Sequence, residues 1–236
     1  MNILLIPGFM TDGSLWDEVA PELAVLGPVT RGDPGRSSTI REMAEEMLRQ
    51  APDRFALIGF SMGGYVAREM VRIAPERIVA LVLIATSARA DTPEQARRKI
   101  AAASAVDPAR FGGVSRAAIL GSLHPDRSGD EALIERVRAM SERVGGEVLR
   151  RQAAQLRAGD LDGLAAIRCP TLIVAADRDA LRSREEAEEL HHGIPGSTLV
   201  VIEGSGHMIP IEEPEQLVAA ILPWLRAQAD GDRSEG

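Results

Sequence analysis

The chain has 236 residues, 45% of them hydrophobic and 26% charged, with a formal net charge of −8 at pH 7. That length can bury one sizeable core, while the acidic balance argues against nucleic acid or an anionic membrane as partner. A single cysteine, Cys169, excludes an intramolecular disulfide, and four scattered histidines build no metal constellation, so no metal or cofactor is expected.

In chain order, apolar runs alternate with amphipathic segments. Asn2 to Ile6 reads as a strand with no basic run and apolar stretch ahead of a cleavage site, so no secretory signal is expected. No segment is long and apolar enough to span a membrane, and the expected location is the cytoplasm. Thr39 with Glu42 makes a capping box, behind which Ile40, Met43, Ala44, Met47 and Leu48 keep helical spacing until Pro52. Phe55 to Ile58 reads as a buried strand and Tyr65 to Val71 as a helix. Between them lies Gly59-Phe60-Ser61-Met62-Gly63-Gly64. Joining strand to helix with almost no loop forces a sharp, strained turn at Ser61, and glycines at 59 and 63 remove side chains that would collide there. Such a turn holds the Ser61 hydroxyl clear of the sheet edge, within reach of a substrate carbonyl.

After a strand from Leu81 to Thr86, the alternation breaks across residues 88–165. Pro93 to Val106, Asp130 to Val144 and Glu147 to Ala158 are all helix-like. Leu133, Ile134, Val137, Met140 and Val144 mark one apolar face, and Leu149, Ala153 and Leu156 another. This insertion is expected to form a helical cap that excludes water and shapes the pocket. Helices packed on the sheet flank are the alternative.

Alternation resumes with the strand Thr171 to Ala176, followed by Asp177 and Asp179. Ser183 with Glu186 opens a helix that ends at Gly193, which puts His191 and His192 in a last turn favouring cations. Thr198 to Ile202 is the next strand, and Gly204-Ser205-Gly206-His207 follows it. Pro214 to Leu225 reads as a final helix with Leu217, Ile221 and Leu225 inward. Residues 229–236 are polar and glycine-bearing and are expected to fray.

A nucleophilic serine needs a base. His207, on a short glycine-bearing loop past a strand end, can swing its ring over the sheet edge. His124 falls in a polar loop and is expected to be exposed or at a pocket rim. One of Asp177 and Asp179 should accept the histidine's other N–H, and spacing alone leaves both open. Serine, aspartate, histidine is the chain order of one hydrolase architecture. The Met62 N–H, following the nucleophile at a helix start, should stabilise the oxyanion, a contribution of about 3 kcal/mol per donor.

These motifs resemble the α/β-hydrolase fold superfamily, in particular its small esterase-like members, over nearly the whole chain. Ile6-Pro7-Gly8-Phe9 resembles the family's oxyanion loop, with Pro7 where many members carry histidine, and the resemblance implies the Phe9 N–H as second oxyanion donor. Gly32-Asp33-Pro34-Gly35-Arg36-Ser37 resembles a shortened Asp-x-Pro-Gly-x-Gly-x-Ser loop, and Pro75 to Ile84 the helix-to-strand passage after the serine turn. The acid segment resembles a Gly-x-x-Asp pattern with Ala176 in place of glycine, a register that implies Asp179 as the acid.

The expected fold is therefore α/β, of the α/β-hydrolase type. A mostly parallel sheet should carry helices on both faces, with residues 1–87 and 166–228 as core, 88–165 as helical cap and 229–236 as a flexible tail. The sheet is expected to begin on the oxyanion strand. The expected function is a serine hydrolase of small carboxylic esters or lactones, with Ser61, Asp179 and His207 catalytic and Phe9 and Met62 at the oxyanion. Met10, Phe60, Leu181 and Met208 should line the pocket. Alternatives are a carbon–carbon bond hydrolase, a perhydrolase or transacylase, and a ligand-binding receptor. The oligomeric state is left open.

Overall fold

A computed structural model describes residues 1–155 and 157–234. Six strands form one sheet: β1 (Asn2–Ile6), β2 (Val29–Arg31), β3 (Phe55–Phe60), β4 (Ile78–Ile84), β5 (Thr171–Ala176) and β6 (Thr198–Ile202). Their order is β2-β1-β3-β4-β5-β6 and every pairing is parallel. Central strands covered on both faces need apolar residues at every position rather than at alternate ones. β3 and β5 are buried at each position, and β4 at all but Val79. β2 is three residues long and two of them are exposed, too short and polar an edge strand for a sequence pattern to announce.

The helices are α1 (Val19–Leu23), α2 (Ile40–Gln50), α3 (Met62–Ile73), α4 (Pro93–Ser104), α5 (Arg116–Leu120), α6 (Glu131–Val144), α7 (Gly146–Ala153), α8 (Arg184–Gly193), α9 (Ile209–Glu212) and α10 (Pro214–Ser234). The predicted capping boxes at Thr39 and Ser183 are formed, and each starts its helix where the sequence placed it. One core cluster joins Leu23, Ile58, Val82 and Val174 to Leu217, Ile221 and Leu225 of α10; a second, on the opposite face, joins Met43 and Met47 to Leu57, Val66, Leu83 and Leu190. Each fully buried Leu or Ile contributes about 1.5–3 kcal/mol relative to exposure, so each face is held by many such side chains.

α10 runs on through Ser234, past residue 228 where the sequence pointed to a frayed tail; Glu235 and Gly236 lie outside the described residues. Its amphipathic pattern fades beyond Leu225, and the continuation adds helix without adding a periodic apolar stripe for sequence reading to detect. Leu156, expected on an apolar helix face, likewise lies outside the described residues.

The insertion between β4 and β5 is helical, as its periodicity implied, but its helices do not share one environment. Leu133, Ile134, Val137 and Met140 of α6 join the cluster that contains Leu15 and Trp16 of the main core. Leu149 and Ala153 of α7 pack instead with Met10 and Ala103. Where the insertion leaves and rejoins the sheet, the Asp91 N–H donates to Arg157 O at 3.0 Å and the Asp160 N–H donates to Ala88 O at 3.0 Å. Arg68 of α3 grips Asp160 at 2.8 and 2.9 Å and donates to Ser87 O at 2.8 Å.

This strand order fixes where a site can form. The chain leaves β1 toward β2 on one side and returns to β3 on the other, so the connections after β1 and β3 depart in opposite directions. A crevice opens at the carboxyl ends of such a strand pair. The loop of Gly8 and Phe9 follows β1, and Ser61 follows β3.

Candidate active site

Ser61 has φ 52° and ψ −112°, a left-handed conformation that costs a non-glycine residue about 1–3 kcal/mol. Its neighbours explain how the turn is tolerated. A Cβ on Gly59 would lie 2.4 Å from Gly63 O, and one on Gly63 would lie 2.4 Å from Ile6 O, so neither position admits a side chain. The strained residue is clamped from both sides: its N–H donates to Ile84 O at 2.8 Å, and Thr86 Oγ1 donates to its carbonyl at 2.7 Å.

From this turn the Ser61 hydroxyl lies 2.9 Å from His207 Nε2. On the far side of the ring, Nδ1 lies 2.7 Å from Asp179 Oδ2. All three side chains are largely buried, Asp179 to 2% exposure. Asp179 Oδ1 accepts the N–H groups of Leu181 and Arg182 at 2.8 and 2.9 Å, so the carboxylate is fixed by its own loop before it meets the ring. Asp177 sits elsewhere: its Oδ1 accepts the Ser205 N–H at 3.1 Å and pins the start of the histidine loop. An imidazole bonded to a hydroxyl on one side and a carboxylate on the other can take the hydroxyl proton while the carboxylate holds the tautomer and balances the charge.

Two features of the histidine loop escaped the sequence reading. His124 is not exposed: its side chain is 13% accessible, it is absent from the cavity lining, and its backbone crowds Gly206, where a Cβ would lie 2.4 Å from His124 N. The polar residues around it, Pro125 to Arg127, form a short 3-10 turn that carries the exposure instead. The second feature is Glu212, a buried carboxylate on α9. It accepts the His124 N–H at 2.6 Å and the Met208 N–H at 2.9 Å. Burial pushes its carboxyl above the ordinary range against the pull of those backbone donors. A glutamate directly after the apolar stretch Met208 to Ile211 was the available sequence signal.

Opposite the hydroxyl, Met62 opens α3, so its N–H belongs to a first turn that has no intrahelical acceptor. The Phe9 N–H has no hydrogen-bond acceptor among the described residues, whereas the next donor, Met10 N–H, is taken by Gln152 Oε1 of α7 at 3.0 Å. Met10 is itself held at φ 55°. Gln152 thus sets the loop of Phe9 from the insertion, a tie across 142 positions that nothing in the sequence advertises.

These groups border a cavity of about 560 Å³. Met10, Phe60, Leu181 and Met208, the four expected pocket residues, all line it. The Phe60 ring packs on His207 with centroids 5.1 Å apart. Phe9 and Leu181 remain 39% and 50% exposed, a placement that suits a rim open to solvent. Lys99, Arg157 and Arg182 line the cavity as well. Asp91 joins Lys99 at 2.6 Å and Arg157 at 2.9 Å; burial opposes its ionisation, but those hydrogen bonds and charges outweigh it and hold the carboxyl below the ordinary range. Cys169 plays no part: it is a partly buried core residue whose thiol burial pushes up to about 11. Among the described residues no group of His, Cys, Asp and Glu could hold a metal ion, and no helix is long and apolar enough to cross a membrane.

A parallel sheet covered on both faces, with serine, histidine and aspartate in series on its carboxyl edge, defines the class of the α/β hydrolases. The chain belongs to the alpha/beta hydrolase family, whose model matches residues 3–221. It is similar to a thermophilic esterase of Thermogutta terrifontis, solved with malate bound, at 31% identity and a TM-score of 0.85, over 97% of this chain and 90% of that one. A putative carbamate hydrolase, RutD, of Rhizobium rhizogenes is 25% identical over 97% of this chain and 94% of its own length. A pimeloyl-(acyl-carrier protein) methyl ester esterase of Neisseria meningitidis is 28% identical over 97% of this chain and 78% of its own. The fold is shared with an enol-lactonase of Burkholderia xenovorans at 19% identity and a TM-score of 0.84, over 95% of this chain and 91% of that one.

Proposed function

We propose that the protein is a serine hydrolase that cleaves small carboxylic esters or lactones through an acyl-enzyme. The observation that carries this reading is the continuous series from Ser61 Oγ through His207 to Asp179, at 2.9 and 2.7 Å, with Ser61 and His207 on the wall of a cavity. Ser61 Oγ attacks the ester carbonyl as its proton passes to His207 Nε2. The Phe9 and Met62 N–H groups bind the oxygen that becomes negative. The tetrahedral intermediate collapses, His207 returns the proton to the departing alkoxide, and the acyl group stays on Ser61. Water then gives up a proton to His207, attacks the acyl carbon, and releases the acid with Ser61 restored. Residues 88–165 serve as the cap: they supply cavity wall from α4 to α7 and, through Gln152, hold the loop that carries the Phe9 donor. The esterases and the methyl ester esterase among the similar proteins support the same bond class.

The test is a fluorophosphonate probe beside a panel of activated esters and lactones. The probe is expected to label the wild type once, at Ser61, and Ser61→Ala is expected to lose ester turnover with its fold intact. Labelling elsewhere, or turnover surviving in Ser61→Ala, overturns the reading. A second reading, hydrolysis of a carbon–carbon bond in a dienoic acid or β-diketone, uses the same residues. The basic side chains of the cavity favour it, and running such a substrate beside the esters decides between the two.

A further inference from the structure

The cavity has an uneven charge. Lys99, Arg157 and Arg182 line it together with Arg98, and no aspartate or glutamate does so, in a chain whose net charge is −8. These cations come from separate places. Lys99 is on α4, Arg157 follows α7, and Arg182 is on the loop between β5 and α8. They converge where the insertion meets the sheet.

Carboxylates behind the wall satisfy them only in part. Asp91 is shared between Lys99 and Arg157. Arg182 meets Glu186 at 3.5 Å, and the Glu186 carboxylate also accepts the Ser183 N–H at 2.8 Å. The Arg182 Nε–H is buried and has no hydrogen-bond partner. A buried donor with no acceptor is costly to keep, and a ligand oxygen would remove that cost. Burial lowers the Lys99 pKa; the Asp91 hydrogen bond opposes this, and the Arg157 and Arg182 charges add to it. The three cations therefore feel one another, and their positive charge exceeds that of the two carboxylates behind them.

The cluster adjoins the reacting groups. The Arg182 N–H donates to Asp179 Oδ1 at 2.9 Å, and Asp179 Oδ2 holds His207. Arg182 also lines the same cavity as Ser61 and His207, so a ligand oxygen bound by its side chain shares that cavity with the bond to be cleaved.

We propose that the substrate carries a free carboxylate that binds to Lys99, Arg157 and Arg182, so that the protein acts on monoesters of dicarboxylic acids or on lactones bearing an acid. This rests on the hydrolase reading above and adds the substrate class. A planar carboxylate suits a guanidinium donor in a dry site, because the pair can bond through two oxygens. The apolar side chains around it, Met10, Phe60 and Met208 among them, fit the carbon chain between the two ends.

The experiment compares mono-4-nitrophenyl adipate with its methyl-capped diester, reading nitrophenolate release. A second arm places the charge on the leaving group, with the valerate ester of 4-hydroxybenzoate against that of methyl 4-hydroxybenzoate. The free acid is expected to be favoured in kcat/KM by about tenfold or more in one arm, mainly through KM, and that arm tells on which side of the bond the carboxylate sits. The preference should shrink as salt rises. It should fall about fivefold or more in Arg182→Gln, which loses the donor that has no partner. Adipate should bind Ser61→Ala in calorimetry and compete with neutral ester in the wild type. Equal kcat/KM for acid and neutral partners in both arms overturns the proposal while leaving the hydrolase reading intact. So does a preference that Arg182→Gln and salt leave unchanged, which would place the carboxylate elsewhere. Adipate binding without turnover of any ester would instead overturn the hydrolase reading and leave the carboxylate site standing.

Discussion

Glu212 Oε1 accepts the Met208 N–H at 2.9 Å, one residue beyond the imidazole that meets Ser61. A carboxylate that touches no substrate thus fixes the backbone on which the base is mounted. Glu212→Ala should leave buried N–H groups of Met208 and His124 unpaired, a loss of about 1–3 kcal/mol per group, and should lower kcat more than it raises KM. Urea denaturation beside steady-state kinetics checks both. Unchanged stability and kcat would mean that the loop holds its shape without it.

The same residue makes a pH prediction. Its folded pKa is raised, by burial first of all, so between the ordinary carboxylate value and the raised one the folded chain binds more protons than the unfolded chain. Stability from this group is therefore full at low pH and falls as pH rises through the raised pKa. Relative to Glu212→Gln, which cannot titrate, the wild type should lose stability across that interval. Denaturation curves for both proteins at a series of pH values give the difference, in which any constant penalty of the amide cancels.

Asp91 should behave in the opposite sense. Burial disfavours its charge, but Lys99 and Arg157 hold it below the ordinary carboxylate value. Its contribution is present above the unfolded pKa and is lost as pH falls through the lowered one. Asp91→Asn should lack that acid-side loss and should be less stable at neutral pH by about 2 kcal/mol, since two partly buried cations lose their charged partner. Acid titration of stability in the two proteins tests it.

The two aspartates after β5 should separate cleanly. Asp179→Asn favours the wrong tautomer of His207 and should cut turnover of an activated ester by about ten-thousand-fold. Asp177→Asn retains an oxygen for the Ser205 N–H and should change turnover by less than about tenfold. The reverse ranking would give Asp177 the orienting role.

A cavity of about 560 Å³ limits the acyl chain. Short acyl esters should be turned over faster than long-chain triglycerides by more than about tenfold, equivalent to ~1.4 kcal/mol of transition-state binding. Equal rates would mean that residues 88–165 do not close over the site.

How much of this the residues announce depends on the range of the interaction. The turn at Ser61 is local: two glycines four positions apart, a strand before and a helix after are enough to read it. The strands and the capping boxes at Thr39 and Ser183 are local too. Asp179 against Asp177 is not, because the choice depends on where β6 delivers His207, and only resemblance separated them beforehand. Glu212, Gln152 and Arg182 were missed for the same reason. Each acts on a partner brought near by topology: Gln152 meets Met10 across 142 positions, and Glu212 meets His124 across 88. His124 was misplaced because a polar sequence context does not reveal that Gly206 lets another loop press against it.

The joint at Asp91–Arg157 and Ala88–Asp160 brings the two ends of the insertion side by side. From the sheet, β4 and β5 are joined through a narrow neck, and the path between its ends is of no consequence to their register. Lengthening a closed excursion costs only about 0.6 kcal/mol per doubling. The helices beyond the neck can therefore vary in number and length so long as Ser122 and His124 keep their bonds to the histidine loop and to Glu212, and Gln152 its bond to Met10. Of the three cations on the cavity wall, Lys99 on α4 lies beyond that neck while Arg157 belongs to it, so an exchange of the outer helices that keeps Gln152 on Met10 would carry a new ligand preference to unaltered chemistry.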